Sequence, residues 1–241
     1  MRTSNKIVAV AAAAVALAVA IGIVGIRVYV DRLIERSGGE LSTEEITGSD
    51  EVAEQSFAAE GFSRVAMSGG WHATIERGDD FSVRLRGPEK YLERTNVEVD
   101  GDTLTIQPEA MFITRGARMR VSIVMPDLEG VRSNGGLELE MRGFSGDTLE
   151  LSCRGGTSVE ASGEGYERID MDFSGGTEVD FREFPAVDAD IRSSGAVDAV
   201  LTMKGGVLSG KLSGAGSVIY YGSVREQSIE TEGVAEIKRG R

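Results

Sequence analysis

The chain has 241 residues, enough for one large or two modest domains, with 32 glycines, 6% aromatic residues and a single cysteine. So few large apolar side chains argue against the wide core of a globular α/β enzyme and for a narrow core filled by short ones. A formal net charge of −13 disfavours nucleic acid and anionic lipid head groups as partners, and the lone Cys153 excludes an intrachain disulfide.

Arg2 and Lys6 precede an uncharged run of twenty residues, Ile7 to Ile26. As a helix this run spans ~30 Å, about one hydrocarbon core. Ala16-Leu17-Ala18 and Ala18-Val19-Ala20 are alternative signal-peptidase sites, but Ile21 to Ile26 carries the apolar run past them. The reading is therefore residues 1–6 as a cytoplasmic tail and residues 7–26 as an uncleaved transmembrane signal anchor. The basic tail keeps the N-terminus inside, although Arg27, Arg32 and Arg36 oppose this. No cysteine lies near the run, which excludes lipoprotein processing. Residues 27–56 read as a juxtamembrane segment followed by a solvated acidic linker, with Glu44, Glu45, Asp50, Glu51 and Glu54 and few apolar residues.

From residue 57 onward the chain reads as β-structure. Val65 to Ile75 and Phe81 to Leu85 alternate as strands do. Gly87-Pro88 opens a short helical turn over Glu89 to Arg94. Val97 to Val99 and Leu104 to Ile106 flank Asp100-Gly101, a pair suited to a type I′ hairpin turn. Val121 to Val124 forms a further strand that ends at Pro126.

A repeat follows. Gly135, Gly155, Gly175, Gly195, Gly214 and Gly233 sit in small-residue clusters spaced 20, 20, 20, 19 and 19 residues apart. Apolar positions keep the same offsets. After each glycine come Leu139, Val159, Val179, Ala199, Val218 and Ile237, then Met141, Ala161, Phe181, Leu201 and Tyr220. Before it come Leu149, Ile169, Ala189 and Leu208, then Leu151, Met171 and Ile191. A coil of this size cannot bury its apolar face alone. Stacking coils ~4.8 Å apart pairs each strand above and below and fuses these positions into continuous ladders. The pattern predicts an all-β, parallel β-helical solenoid with ~20-residue coils over residues 129–238 and the six glycines aligned at one corner. Gly214-Ala215-Gly216 is no phosphate loop, because no helix or Lys-Ser/Thr pair follows and it lies in phase with the other corners.

Phe62 to Val65, Gly70 to Ile75, Val121 to Leu128, the recurring Ser-Gly-Gly/Ala corners and Gly214 to Gly222 together resemble the bacterial "putative auto-transporter adhesin, head GIN domain" family. The resemblance covers residues 57–238. It implies a right-handed β-helix on the extracytoplasmic side of a bacterial envelope, an adhesive role and no catalytic motif. With the anchor, it implies a single-pass inner-membrane protein whose solenoid faces the periplasm. No outer-membrane barrel segment follows Lys238 here, unlike in a typical auto-transporter.

The search for chemistry gives little. His72, the only histidine, lies in an alternating strand with no triad or metal partners nearby and reads as a surface or core-edge residue. Cys153 shares its offset with Phe173 and reads as a buried hydrophobe. Tyr220-Tyr221 reads as one core ring and one surface ring. The carboxylates form columns: Glu150, Asp170 and Asp190; Glu140, Glu160 and Asp180; and Glu138, Glu178 and Asp198, the last interrupted at Ser158. Rungs about 5 Å apart repel by about 0.9 kcal/mol per neighbour in water. Salt, neighbouring Arg or Lys, raised carboxylate pKa values or a bound divalent cation could relieve that repulsion. The first two columns are the candidate metal site, suited to weak Ca²⁺ binding rather than to transition metals. No catalytic or cofactor-binding residue is assigned. The expected function is a non-enzymatic envelope interaction or adhesion module for a protein or glycan partner. The alternative is a β-helix-type polysaccharide lyase or hydrolase, which would need an irregular acidic groove with Arg or Lys beside it.

Overall fold

A computed structural model describes residues 45–47, 51–109, 113–115 and 119–241. The tail, the anchor Ile7 to Ile26 and the first part of the linker lie outside the described residues. Among the described residues no helix is long and apolar enough to cross a membrane. Residues Glu45–Arg241 form one compact unit.

That unit is an all-β solenoid. Its strands are, in chain order, β1 (Glu45–Thr47), β2 (Val52–Phe57), β3 (Arg64–Ser68), β4 (Trp71–Arg77), β5 (Ser82–Pro88), β6 (Thr95–Asp100), β7 (Thr103–Pro108), β8 (Ile113–Arg115), β9 (Arg120–Met125), β10 (Gly130–Asn134), β11 (Leu137–Arg154), β12 (Thr157–Lys204), β13 (Val207–Ser223) and β14 (Glu226–Arg239). One helical turn, α1 (Glu89–Leu92), interrupts them where Gly87-Pro88 predicts it. The last four strands are long because pairing continues around the corners. All four pair in parallel with their neighbours at a step of twenty or nineteen residues, as Leu139 opposite Val159 and Ala199 opposite Val218 illustrate.

The predicted ladders point inward. Val159, Val179 and Ala199 are each 1% exposed, and Leu149, Ile169, Ala189 and Leu208 form an equally buried row on the other face. Phe144, Phe173, Phe181 and Phe184 are the largest buried side chains of the repeat. Phe184 closes the third side of the coils, with ring centroids 5.4 Å from Phe181 and 5.6 Å from Tyr166. Thus few aromatics suffice, because the core is only one coil wide.

The corner glycines align as predicted, and the reason is doubly steric. At Gly155 φ is +119°, and an added Cβ would fall on the carbonyl oxygen of Gly135. The same contact recurs up the column, from Gly175 to Gly155, Gly195 to Gly175, Gly214 to Gly195 and Gly233 to Gly214. Any side chain there needs a strained backbone and collides with the coil before it.

The column also contains a seventh member that the sequence pattern missed. Gly69, at φ +96°, stands against Gly135, and β3 and β4 pair in parallel with β10 and β11. Arg64–Arg77 is therefore a first coil, separated from the next by an inserted segment. That insertion caps the stack. On one face β4 is followed by β9, then antiparallel β5 and β2; on the other β3 is followed by β7 and antiparallel β6. Tyr91 of α1 covers the corner, its hydroxyl 2.9 Å from where a Gly69 Cβ would lie, and its ring meets Trp71 edge-on at 5.6 Å.

Two expectations need correction. The linker does not reach residue 56, because Val52–Phe57 is a strand antiparallel to β5. Among the described residues it is an outer strand of its sheet with one partner, and Ala53 and Phe57 are its residues that pack against the core, too few apolar residues to announce a strand. The hairpin turn is also not type I′. Asp100 pairs with Thr103, leaving Gly101-Asp102 as the loop, and only Gly101 takes positive φ. Type I′ needs positive φ at both positions; glycine first is the type II′ pattern.

Candidate functional site

The outer surfaces of the coils carry the charged side chains, and β-alternation places them there. Every second residue of a ladder strand must leave the core, and the parallel register stacks equivalent positions. Glu150 lies opposite Asp170 and Glu140 opposite Glu160. The twenty-residue step continues through β12, as the Gly155–Gly175–Gly195 contacts require. The six candidate ligands are thus two stacked columns on two different faces. Glu138 lies opposite Ser158, the predicted break in the third column, and the Asp198 carboxylate accepts a hydrogen bond from Ser217 at 2.8 Å.

Arginines interleave with these columns. Arg168 donates two hydrogen bonds to Asp170, at 2.7 and 2.9 Å. Arg182 binds Asp180, Arg142 binds Glu140, and Arg142 also reaches Glu76 at 3.0 Å. Asp190 is the most enclosed of the acids, with its side chain 10% exposed, and it binds Arg192 at 2.9 Å and Ser209 at 2.8 Å. Arg64 closes the top of the Glu150 column. It lies over Gly130, where no side chain competes for space, and reaches Glu150 at 2.7 Å, Asp102 at 3.5 Å and Glu129 at 3.7 Å. The Arg182 hydrogen bonds hold the Asp180 carboxyl below its usual range, and the Glu150 hydrogen bond raises the Arg64 guanidinium above its own. Most of these arginines sit two residues from their acid on the same strand and were visible in the sequence. Arg64 was not, because it approaches Glu150 across 86 residues.

Among the described residues no group of three or more His, Cys, Asp or Glu side chains is arranged to hold a metal ion. His72 is a surface strand residue whose Nδ1 lies 2.9 Å from Glu138. Cys153 is buried and free, and burial pushes its thiol up to about 12. Tyr220 is 8% exposed and Tyr221 36%, one ring in the core and one on the surface.

Concavities interrupt the regular surface; a small one lies under Arg64, between Gly130 and Glu150. On the third side of the coils an open groove of about 590 Å³ is lined by Asp147, Glu164, Glu167 and Lys204 around the edge of Tyr166. Gly146 keeps the edge of the Tyr166 ring open, since a Cβ there would lie 2.9 Å from it, while Gly163 and Gly165 let neighbouring coils approach closely, a Cβ at either meeting the backbone of Phe144 or Pro185. Little sequence is inserted between the corners, and the groove needs no more, because the side chain missing at Gly146 helps to make it. Its three carboxylates are exposed, and Lys204 points at the Glu164 carbonyl oxygen, 3.5 Å away.

No curated protein matches the chain. The solved structure titled "putative adhesin" from Bacteroides fragilis NCTC 9343 is similar in fold, with a TM-score of 0.61 at 18% identity over 81% of this chain and all of that one. A structure from Parabacteroides distasonis ATCC 8503 titled "putative lipid binding protein" aligns with a TM-score of 0.47 at 14% identity over 82% of this chain and all of that one. At these identities the likeness concerns fold alone. The sequence itself decides the family: the family described as "Putative auto-transporter adhesin, head GIN domain" matches residues 61–224, from the first coil through β13, and the chain belongs to it.

Proposed function

We propose that this solenoid is a non-enzymatic interaction module of the bacterial cell envelope, held at the membrane by Ile7 to Ile26 with its coils on the extracytoplasmic side. The observation that carries this reading is the surface itself. The ladders expose rows of acids and arginines at fixed spacing on a rigid frame, a pattern suited to polar contacts with a protein or glycan along several coils. Membership of a family described as adhesin heads supports it.

The groove around Tyr166 supports the second reading, a polysaccharide-active enzyme, because it gathers carboxylates beside a lysine. Against that reading, glycoside hydrolysis requires two carboxyl groups in unequal environments, and Asp147, Glu164 and Glu167 all face solvent. The test incubates the full chain, in detergent, with polysaccharides from its own envelope. Sedimentation with the polysaccharide or with envelope fractions, and no release of new reducing ends or unsaturated sugars, is expected. Product release that falls in Glu164→Gln or Glu167→Gln would establish the enzyme instead.

A further inference from the structure

The two ends of the solenoid differ. The first coil is closed by antiparallel strands and α1, whereas β14 has a partner on one side only among the described residues. Its two legs, before and after the Gly233 corner, are unlike. On the first leg the outward positions are Glu226, Ser228, Glu230 and Glu232, three acids in four positions, with Lys211 of the coil before engaged by Glu232 at 2.6 Å. Such an edge repels a copy of itself. On the second leg Ala235, Ile237 and Arg239 take the inward positions, in register with Gly216, Val218 and Tyr220; Ala235 and Ile237 are only partly covered, and Arg239 turns aside to donate a hydrogen bond to the Gly222 carbonyl oxygen at 2.8 Å. The outward positions there are Val234, which is exposed, then Glu236 and Lys238, opposite in sign and 2.7 Å apart within the strand.

We propose that the second leg of β14 is a self-complementary edge on which a second copy of this chain docks tail to tail. The partner edge must bend and twist as this one does, which a copy of the same coil satisfies. A two-fold axis normal to this face pairs the strands antiparallel, keeping inward residues inward in both copies. The charges then choose the register. Centred on Ile237, the pairing sets Ile237 against Ile237 of the second copy, Glu236 against Lys238 in both directions, and the small Ala235 beside Arg239, whose guanidinium is already turned to the Gly222 carbonyl. Centred on residue 236 it opposes two glutamates, and centred on residue 238 two lysines. Shifts of a single residue turn the apolar positions outward. The same axis carries the two acidic first legs to opposite sides, so they do not meet.

The test is in-cell disulfide trapping with full-length chains. Cys153 is buried and does not compete. Directly opposed antiparallel residues have Cβ atoms about 4.5–5.5 Å apart, near disulfide reach, whereas diagonal neighbours are about 7–8 Å apart. Co-expressed Glu236→Cys and Lys238→Cys chains should therefore cross-link on mild oxidation, and either variant alone only weakly. Lys238→Glu alone should abolish dimers in chemical cross-linking, and the exchange Glu236→Lys with Lys238→Glu should restore them. Both positions are exposed, so a wild-type far-ultraviolet spectrum and a cooperative melt in each variant verify folding. A wild-type chain that remains monomeric, equal cross-linking in all cysteine combinations, or a dimer indifferent to Lys238→Glu overturns the proposal.

Discussion

At the scale of single residues, neighbouring glycines have opposite roles. Gly155 occupies the corner column, with φ +119° and the Gly135 carbonyl where its Cβ would be, while Gly156 has nothing within 4 Å of that position and a backbone open to other residues. Gly155→Ala should cost at least about 2–4 kcal/mol, combining backbone strain with overpacking. Gly156→Ala should change stability by less than about 1 kcal/mol. Denaturant melts of the two variants check this contrast. Cys153 supplies a pH dependence. Burial raises its thiol from 9.0 to about 12, so the native state holds a proton that the unfolded chain releases. The stabilisation is fully present below pH 9 and is lost as pH rises toward 12, at about 1.4 kcal/mol per unit. Stability measured just above pH 9 should fall less steeply in Cys153→Ala than in wild type, whatever the variant's absolute stability. Equal slopes would mean that the thiol titrates alike in both states.

At the scale of the strand, stacked carboxylates meet arginines rather than one another. Asp170 with Arg168, Asp180 with Arg182 and Asp190 with Arg192 are short-range pairs on one strand, and Arg64 and Arg142 tie strands of different coils. These pairs occupy the oxygens that a divalent cation would need. They are largely exposed, so each adds about 0–1 kcal/mol and screens with salt. Millimolar Ca²⁺ is therefore expected to move the thermal midpoint no further than NaCl of matched ionic strength. A Ca²⁺-specific rise, lost in Asp170→Asn but kept in Asp147→Asn, would instead establish the cation ladder. The Asp180 carboxyl, held low by Arg182, contributes its stability above its unfolded pKa and loses it as pH falls through the folded value.

For the solenoid as a whole, stability is a sum of coils and nearest-neighbour interfaces. The coils between Leu137 and Met203 have a neighbour on each side, the first is covered by the cap, and the first leg of β14 is paired on one side with its residues exposed or partly so. Native-state hydrogen exchange should be slowest between Leu137 and Met203 and fastest in residues 226–232. Uniform protection would indicate a single cooperative unit rather than a graded stack.

Much of this was legible from sequence for one physical reason: in a parallel solenoid the contact partner of a residue lies one coil away, so register is written as a period. Glycine spacing alone places Gly135 to Gly233 at one corner, alternation alone places Val159 inside and Glu160 outside, and the same arithmetic stacks the acids. The period fails wherever the chain leaves it. Gly69 stands 66 residues before Gly135, so the first coil, the cap that the inserted strands form over it, and the Arg64–Glu150 contact have no signature in spacing. Strand β2 escaped notice because a one-sided outer strand needs few apolar residues, and the Tyr166 groove because a side chain missing at Gly146 helps to make it. Sequence determined the coil, its core, its charged columns and most of the arginines that answer them; only the tertiary structure decided that Arg64 answers Glu150, how one end is closed and that one edge of β14 has no partner among the described residues, because those depend on contacts between segments that no local period relates.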